Sequence, residues 1–191
     1  HGAIIRPMGR YATTTLTLVL SAAALSAQRP PVADDRAAML RNIDARRDTY
    51  AGVAKEIWGF AEVGYQEQKS SALLQQQLRA AGFQVKAGVA DIPTAFVATF
   101  GPGQPIIGIV GEFDALPGLS QEAQTAARHA IEDNAPGHGC GHNLLGTGAL
   151  AAAISVKDWL VASRHAGTIR YYGTPAEEGG GGAREMVEDG L

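Results

Sequence analysis

Cysteine is nearly absent: Cys140 stands alone among 191 residues. One thiol cannot close an internal disulfide, so a disulfide scaffold is excluded. Charge of one sign is also lacking. Sixteen Lys and Arg against 19 Asp and Glu leave a net charge of −3. Neither a basic stripe nor a nucleic-acid-reading motif appears, which argues against nucleic acid as a partner. No unit of about 20 to 50 residues recurs, so repeat architectures are excluded. The N-terminal apolar run, Thr15 to Leu25, falls short of the roughly 20 residues a bilayer span needs, and no stable membrane span is expected from it. What is present is ordinary: 46% hydrophobic and 18% charged residues, enough chain for one domain with a proper core.

Residues 8–27, "MGRYATTTLTLVLSAAALSA", combine Arg10, the apolar run and small residues ending at Ala27. This is a signal-peptide pattern, with cleavage after Ala27 or Ala24 and export to a periplasm or medium. An apolar N-terminal helix of the domain is the competing reading. Residues 1–7 precede a natural start at Met8, so 1–27 are read as upstream residues plus signal peptide, 28–34 as a linker and 35–191 as the folded part.

The linker "QRPPVAD" leads to an N-cap at Asp34 or Asp35. Met39, Leu40, Ile43, Tyr50, Val53, Ala54 and Ile57 recur at helical spacing. Gly64 is a break. Leu73, Leu74 and Leu78 predict a second helix, closed by Gly82 just beyond its C-terminus. Residues 83–89 and 94–100 read as strands on either side of Pro93, and "GPGQ" (101–104) as a turn. "PIIGIVGEF" (105–113) predicts a strand covered on both faces. Residues 114–141 form a long connection, and connections of that length are often functional. An alanine-rich helix over 144–163, a buried strand over 167–175 and a glycine-rich turn opening a helix over 177–190 complete the pattern. Strands alternating with helices predict an α/β domain around a largely parallel or mixed sheet.

The chemistry-bearing residues cluster in three places, each next to an apolar element: "GEFDALPG" (111–118), "GHGCGHN" (137–143) and "GTPAEEGGGG" (173–182). Open α/β sheets bind ligands at the carboxyl ends of their strands, so the three can converge. Cys140 and His142 are two apart, and in an extended loop they face the same side. Thiolate and imidazole suit zinc and its neighbours. His138 is either a residue behind the ligands or a structural one. Glu177 and Glu178, as neighbours in an extended segment, point apart. One can then bind a metal while the other faces a metal-activated water as general base; the competing reading is a solvated turn. Asp114 and Glu112 sit among apolar neighbours, where a carboxylate needs a partner such as a metal or a metal-bound histidine; an ordinary turn aspartate before Pro117 is the alternative.

Taken together in this order, "EFDALPG", "GHGCGHN" and "GTPAEEGGGG" resemble the di-metal amidohydrolases of the aminoacylase/carboxypeptidase superfamily. They are most similar to the branch that holds the p-aminobenzoyl-glutamate hydrolases and the N-acyl-amino-acid amidohydrolases. "IWGFAEVGYQEQKSS" (57–71) is similar to that branch's early helix-turn segment with its E-x-G-(Y/F)-x-E pattern. The resemblance runs from about residue 35 to the end. It implies a three-layer zinc-exopeptidase-like catalytic domain, of which this chain matches the first half. It also implies two divalent ions, zinc or manganese with cobalt or nickel also accepted, bridged by a water or hydroxide. Cys140, His142 and Glu178 match metal ligands, Glu177 the general base and Asp114 the catalytic aspartate. Glu112 stands where the wider superfamily has a histidine ligand and is not expected to bind metal. Family chains are longer and carry a lid domain, two further histidine ligands and the substrate-carboxylate contacts. The implied activity is hydrolysis of an amide or peptide bond beside a free carboxylate, in a small N-acyl amino acid, aminobenzoyl-glutamate or dipeptide, by a full-length homodimer. Two alternatives stand beside it: an inactive truncated metal-binding fragment, and a cysteine hydrolase with Cys140 as nucleophile.

Overall fold

A computed structural model describes residues 32–191. The signal-peptide segment 8–27 and the start of the linker lie outside the described residues. Five helices and four strands follow one another as α1 (Val32–Ala45), α2 (Arg47–Phe60), α3 (Gln68–Ala80), β1 (Gln84–Ala87), β2 (Phe96–Phe100), β3 (Ile106–Glu112), α4 (His142–Ser163), β4 (Thr168–Thr174) and α5 (Gly182–Glu188), with a single 3-10 turn at Val89–Asp91.

Local chemistry accounts for most boundaries. α1 begins at Val32, inside the expected linker, so Asp34 and Asp35 lie in its first turn rather than at an N-cap. There they still complement the positive end of the helix dipole. The long apolar period from Met39 to Ile57 is shared by two helices, because Arg46 leaves the helical conformation between them. Gly82 follows α3 with φ of +92°, and the N–H groups of Gly82 and Phe83 return to the carbonyls of Arg79 and Leu78, a left-handed helix stop that glycine adopts without steric cost.

The strands order as β1-β2-β4-β3. β1–β2 and β2–β4 are antiparallel, while β3–β4 are parallel and joined through α4. The sheet is therefore mixed, with its one parallel pair at the end that carries the chemistry. Alternation along the strands divides the core into two layers. Phe96, Ala98, Ile169 and Tyr171 pack with Ile57, Leu74, Leu78, Phe113, Leu150 and Ile154 beneath helices α2, α3 and α4. Val97 and Tyr172 point to the opposite face, where Val89, Ile92 and Met186 of α5 cover them. Helices, sheet and helix make three layers, as the resemblance implied.

One expectation changes. β3 is not covered on both faces. It pairs only with β4 among the described residues, and Ile106, Ile107 and Val110 are exposed. The run is apolar, but α5 packs mainly on β4 and the Val89–Asp91 turn. α4 is long and apolar enough to cross a membrane by length and composition. Here it is a core helix, packed on β3, β4, α1 and α2.

The parallel register sets Glu112 at the end of β3 opposite Thr174 at the end of β4. Both strands therefore deliver their following residues to one edge of the sheet. α4 arrives at the same edge. A side-chain carbon on Gly146 would sit 2.6 Å from the Glu112 carbonyl oxygen, so this glycine lets the helix approach the strand end. His142 lies one turn earlier on the same helical face.

Candidate metal centre

His142 is the first residue of α4, preceded by Gly141 with φ of +86°. The premise of an extended Cys140–His142 segment does not hold. The left-handed glycine and the helix start, rather than strand alternation, place these two side chains. His142 is buried, and its ring is fixed from behind: Nδ1 lies 2.9 Å from Asp114 Oδ1. The other Asp114 oxygen accepts the Glu178 N–H at 3.0 Å. A carboxylate is acceptor-only, so Asp114 accepts a hydrogen bond from Nδ1–H, and Nε2 is the ring nitrogen that faces outward. That is the arrangement common behind metal-bound histidines.

Nε2 faces a ring of carboxylates: Glu112 Oε2 at 3.2 Å, Glu177 Oε2 at 3.8 Å and Glu178 Oε1 at 3.9 Å. Two triads have ligand atoms within 4.8 Å of one another, Cys140–His142–Glu178 and Glu112–His142–Glu177. Donors bound 2.0 to 2.3 Å from one ion lie at most about 4.6 Å apart, so both are near bonding reach. The first carries a further sign. Glu178 Oε1 is buried with no hydrogen-bond partner. An orphaned carboxylate oxygen is costly, and a cation between it, the thiol and Nε2 would satisfy it. Sulfur, imidazole nitrogen and carboxylate oxygen together are a zinc-type donor set. The residues thus fit a divalent ion.

The electrostatics agree. Burial raises the Glu112 pKa; His142 opposes this, and the neighbouring carboxylates Glu177, Asp114 and Glu178 add to it. The Cys140 thiol, exposed at the surface, is raised chiefly by the Glu178 carboxylate beside it and by the surrounding negative charge. An activated cysteine nucleophile needs the opposite environment. A bound cation reverses the balance, since metal coordination deprotonates a thiol.

The five residues singled out from the sequence, Cys140, His142, Glu178, Glu177 and Asp114, come together at this edge. Glu177 and Glu178 do not point apart. They lie in a turn rather than an extended segment, and both carboxylates approach the same imidazole. Glu112, set aside on sequence grounds, is the residue the structure adds. Its signal was its position two residues before Asp114 at a strand end, where alternate side chains share a face. His138 lies outside both triads. It is buried, and its Nε2 pairs with the Ile57 carbonyl at 3.0 Å. Burial lowers its pKa, so it serves as a neutral tie between the loop and α2. Beside the triads a cavity of about 230 Å³ is bounded by Gly64, Tyr65, Asp114, Ala176 and Glu178.

Residues 108–191 match peptidase family M20/M25/M40. Over 149 residues the chain is 48% identical to a subunit of the p-aminobenzoyl-glutamate hydrolase of Escherichia coli (strain K12), covering 78% of this chain and 31% of that protein. It is 33% identical over 130 residues to hippurate hydrolase of Campylobacter jejuni, covering 68% and 32%. Among solved structures, a dinuclear metal binding peptidase of the M20 family from Bacillus subtilis aligns with a TM-score of 0.59 at 25% identity, over 77% of this chain and 40% of that one. An aminobenzoyl-glutamate utilization protein from Klebsiella pneumoniae aligns with a TM-score of 0.57 at 20% identity, over 80% and 42%, a likeness of fold. The chain spans about a third of the length of the curated relatives it matches.

Proposed function

The chain belongs to peptidase family M20/M25/M40, and from that premise we propose that the whole protein hydrolyses an amide bond beside a free carboxylate, in a small N-acyl amino acid, an aminobenzoyl-glutamate or a dipeptide. The observation that carries the reading is the orphaned Glu178 oxygen facing Cys140 and the free nitrogen of His142. In this reading Cys140, His142 and Glu178 hold one divalent ion, zinc or manganese, with cobalt and nickel accepted by the same donors. The single free nitrogen of His142 serves one ion only. A second ion draws on other donors, and Glu112 is the carboxylate at hand.

Divalent ions bound there supply a polarising charge for the substrate carbonyl and acidify a water. The protein's own residues do the rest. Asp114 holds His142 in one tautomer and pins the Glu178 backbone. Glu177, with its side chain 48% exposed, has no such restraint and can move a proton. As the water oxygen adds to the carbonyl carbon, Glu177 takes the water proton; as the carbon–nitrogen bond breaks, it passes that proton to the leaving amine. A homodimer is the proposed assembly of the whole protein.

The test separates the two glutamates in the whole protein. Glu177→Gln keeps its bound ion while turnover of p-aminobenzoyl-glutamate or hippurate falls about 10²- to 10⁴-fold. Glu178→Gln loses ion affinity together with rate. Elemental analysis and kinetics on both variants read the outcome. Reversed behaviour exchanges the two roles, and full activity in both refutes the mechanism.

A further inference from the structure

The segment "EVGYQE", Glu62 to Glu67, has no part in the chemistry above, yet it touches both the chain after Asp114 and the turn that carries Glu177 and Glu178. The Glu62 carbonyl accepts the Ala115 N–H at 2.8 Å, tying the segment to the residue after Asp114. Gly64 lies so close to Ala176 that a side-chain carbon on it would come within 2.9 Å of the Ala176 Cβ. Tyr65 donates its hydroxyl hydrogen to Glu185 of α5, with its ring against Gly180. Glu67 is fully buried, and its Oε1 accepts the Ala176 N–H at 2.8 Å across 109 positions of sequence.

Glu67 occupies the N-cap position of α3 but does not cap it. Side chains at that position ordinarily accept hydrogen bonds from the second or third N–H of the helix. Glu62 does so instead: its two oxygens accept the N–H groups of Lys69 and Ser70 at 3.0 and 2.9 Å. The Glu67 carboxyl is thereby released inward, to the residue immediately before Glu177. Ala176 has φ of +57°, a left-handed conformation that a non-glycine residue holds only when its surroundings enforce it. Its carbonyl is fixed by the N–H groups of Gly180 and Gly181 at 2.9 and 2.7 Å. Glu67 fixes its N–H.

We propose that Glu67 is a positioning residue: by accepting the Ala176 N–H it holds the left-handed kink that turns Glu177 and Glu178 into the metal centre. The proposal rests on the functional reading above. Burial raises the pKa of the Glu67 carboxyl, while the backbone N–H groups oppose the shift. Glutamine keeps an acceptor oxygen for the Ala176 N–H at the same side-chain length.

The test is calorimetric titration of the whole protein with Zn²⁺ and with Mn²⁺, at a temperature below the unfolding midpoint of every variant. Glu67→Leu retains a side chain of similar bulk but offers no acceptor, and ion affinity falls about 10-fold or more, the scale for residues behind metal ligands. Glu67→Gln keeps the acceptor and restores most of the affinity. Gly64→Ala presses on Ala176 from its other side and weakens binding without altering Glu67. A role confined to packing lowers the unfolding midpoint but leaves the affinity of the folded protein alone. The proposal is overturned if Glu67→Leu and Gly64→Ala bind as wild type does, or if Glu67→Gln is as weak as Glu67→Leu. Should Glu67→Leu not fold, wild-type affinity in Gly64→Ala overturns it. A wild-type protein that binds neither ion, or a Glu178→Gln variant that binds as wild type does, overturns the functional reading itself. Loss of binding in Glu178→Gln with retention in Glu67→Leu overturns only the positioning role.

Discussion

Two glycines of α4, two positions apart, are set for opposite responses to the same substitution. At Gly146 an added Cβ would meet the Glu112 carbonyl oxygen at 2.6 Å and the Phe113 Cβ at 3.5 Å. Close carbon–oxygen contacts in proteins lie near 3.3 to 3.6 Å, so helix and strand end must separate by roughly 0.7 to 1 Å. Overpacking of this kind costs about 1 to 3 kcal/mol. The helix-propensity gain of alanine over glycine, about 0.5 to 1 kcal/mol, offsets part of it. Gly146→Ala is therefore destabilising by up to about 2.5 kcal/mol, or up to roughly 10 °C in the unfolding midpoint. At Gly148 nothing lies within 4 Å of the same added carbon, so Gly148→Ala keeps only the gain and raises the midpoint by about 1 to 4 °C. The two also differ at the site. His142 rides on the turn before Gly146, and ligand geometry tolerates displacements of only about 0.5 Å, so Gly146→Ala weakens Zn²⁺ binding while Gly148→Ala does not. Differential scanning calorimetry and Zn²⁺ titration on the whole protein measure both effects. Equal midpoints and equal affinities in the two variants would refute the claim that Gly146 sets the helix-to-strand distance.

Asp158 ties α4 to the first two helices, accepting from Arg46 at 2.8 Å and from Asn42 at 3.0 Å. Burial alone would raise its pKa, but hydrogen bonds from Lys157, Arg46 and Asn42 prevail and hold it below the usual carboxylate range. A folded-state pKa below the unfolded one gives stability that is present above the unfolded value, near 3.9, and lost as pH falls through the folded value. Asp158→Asn therefore lowers the unfolding midpoint at pH 7 and converges with wild type as pH falls through that lower value; a difference independent of pH contradicts the linkage. Export is the remaining expectation: N-terminal sequencing of protein from its native host finds a mature start near Gln28 or Leu25, and an intact Met8 on cytoplasmic protein excludes it.

Much of the site was legible because its residue types are rare in the settings where they occur. A carboxylate at Asp114 among apolar neighbours had to have a partner, and the partner is His142. A lone thiol two residues from a histidine read as a candidate ligand pair, and the two lie within 4.8 Å of one another and of Glu178. The helix stop at Gly82 and the apolar period of α3 were legible for the same reason, since neighbours along the chain decide them. Glu112 was not. Its place beside His142 follows from the β3–β4 register and from the space left at Gly146, and neither is encoded within a window of neighbours. β3 read as doubly covered because periodicity reports apolarity, not what lies against it.

By itself, then, the sequence determined the donor types, the elements that carry them and the order in which those elements occur, because these depend on side-chain chemistry and short-range backbone preference. Tertiary structure alone decided which imidazole nitrogen remains free, that Glu177 and Glu178 face one ring from a turn, that His138 turns away to Ile57, and that Glu67 reaches Ala176 across 109 residues. The physical reason is that these contacts join separate elements. Their distances are fixed by how closely the helices and strands can pack, and that closeness is a property of all the contacting surfaces together rather than of any one stretch of chain.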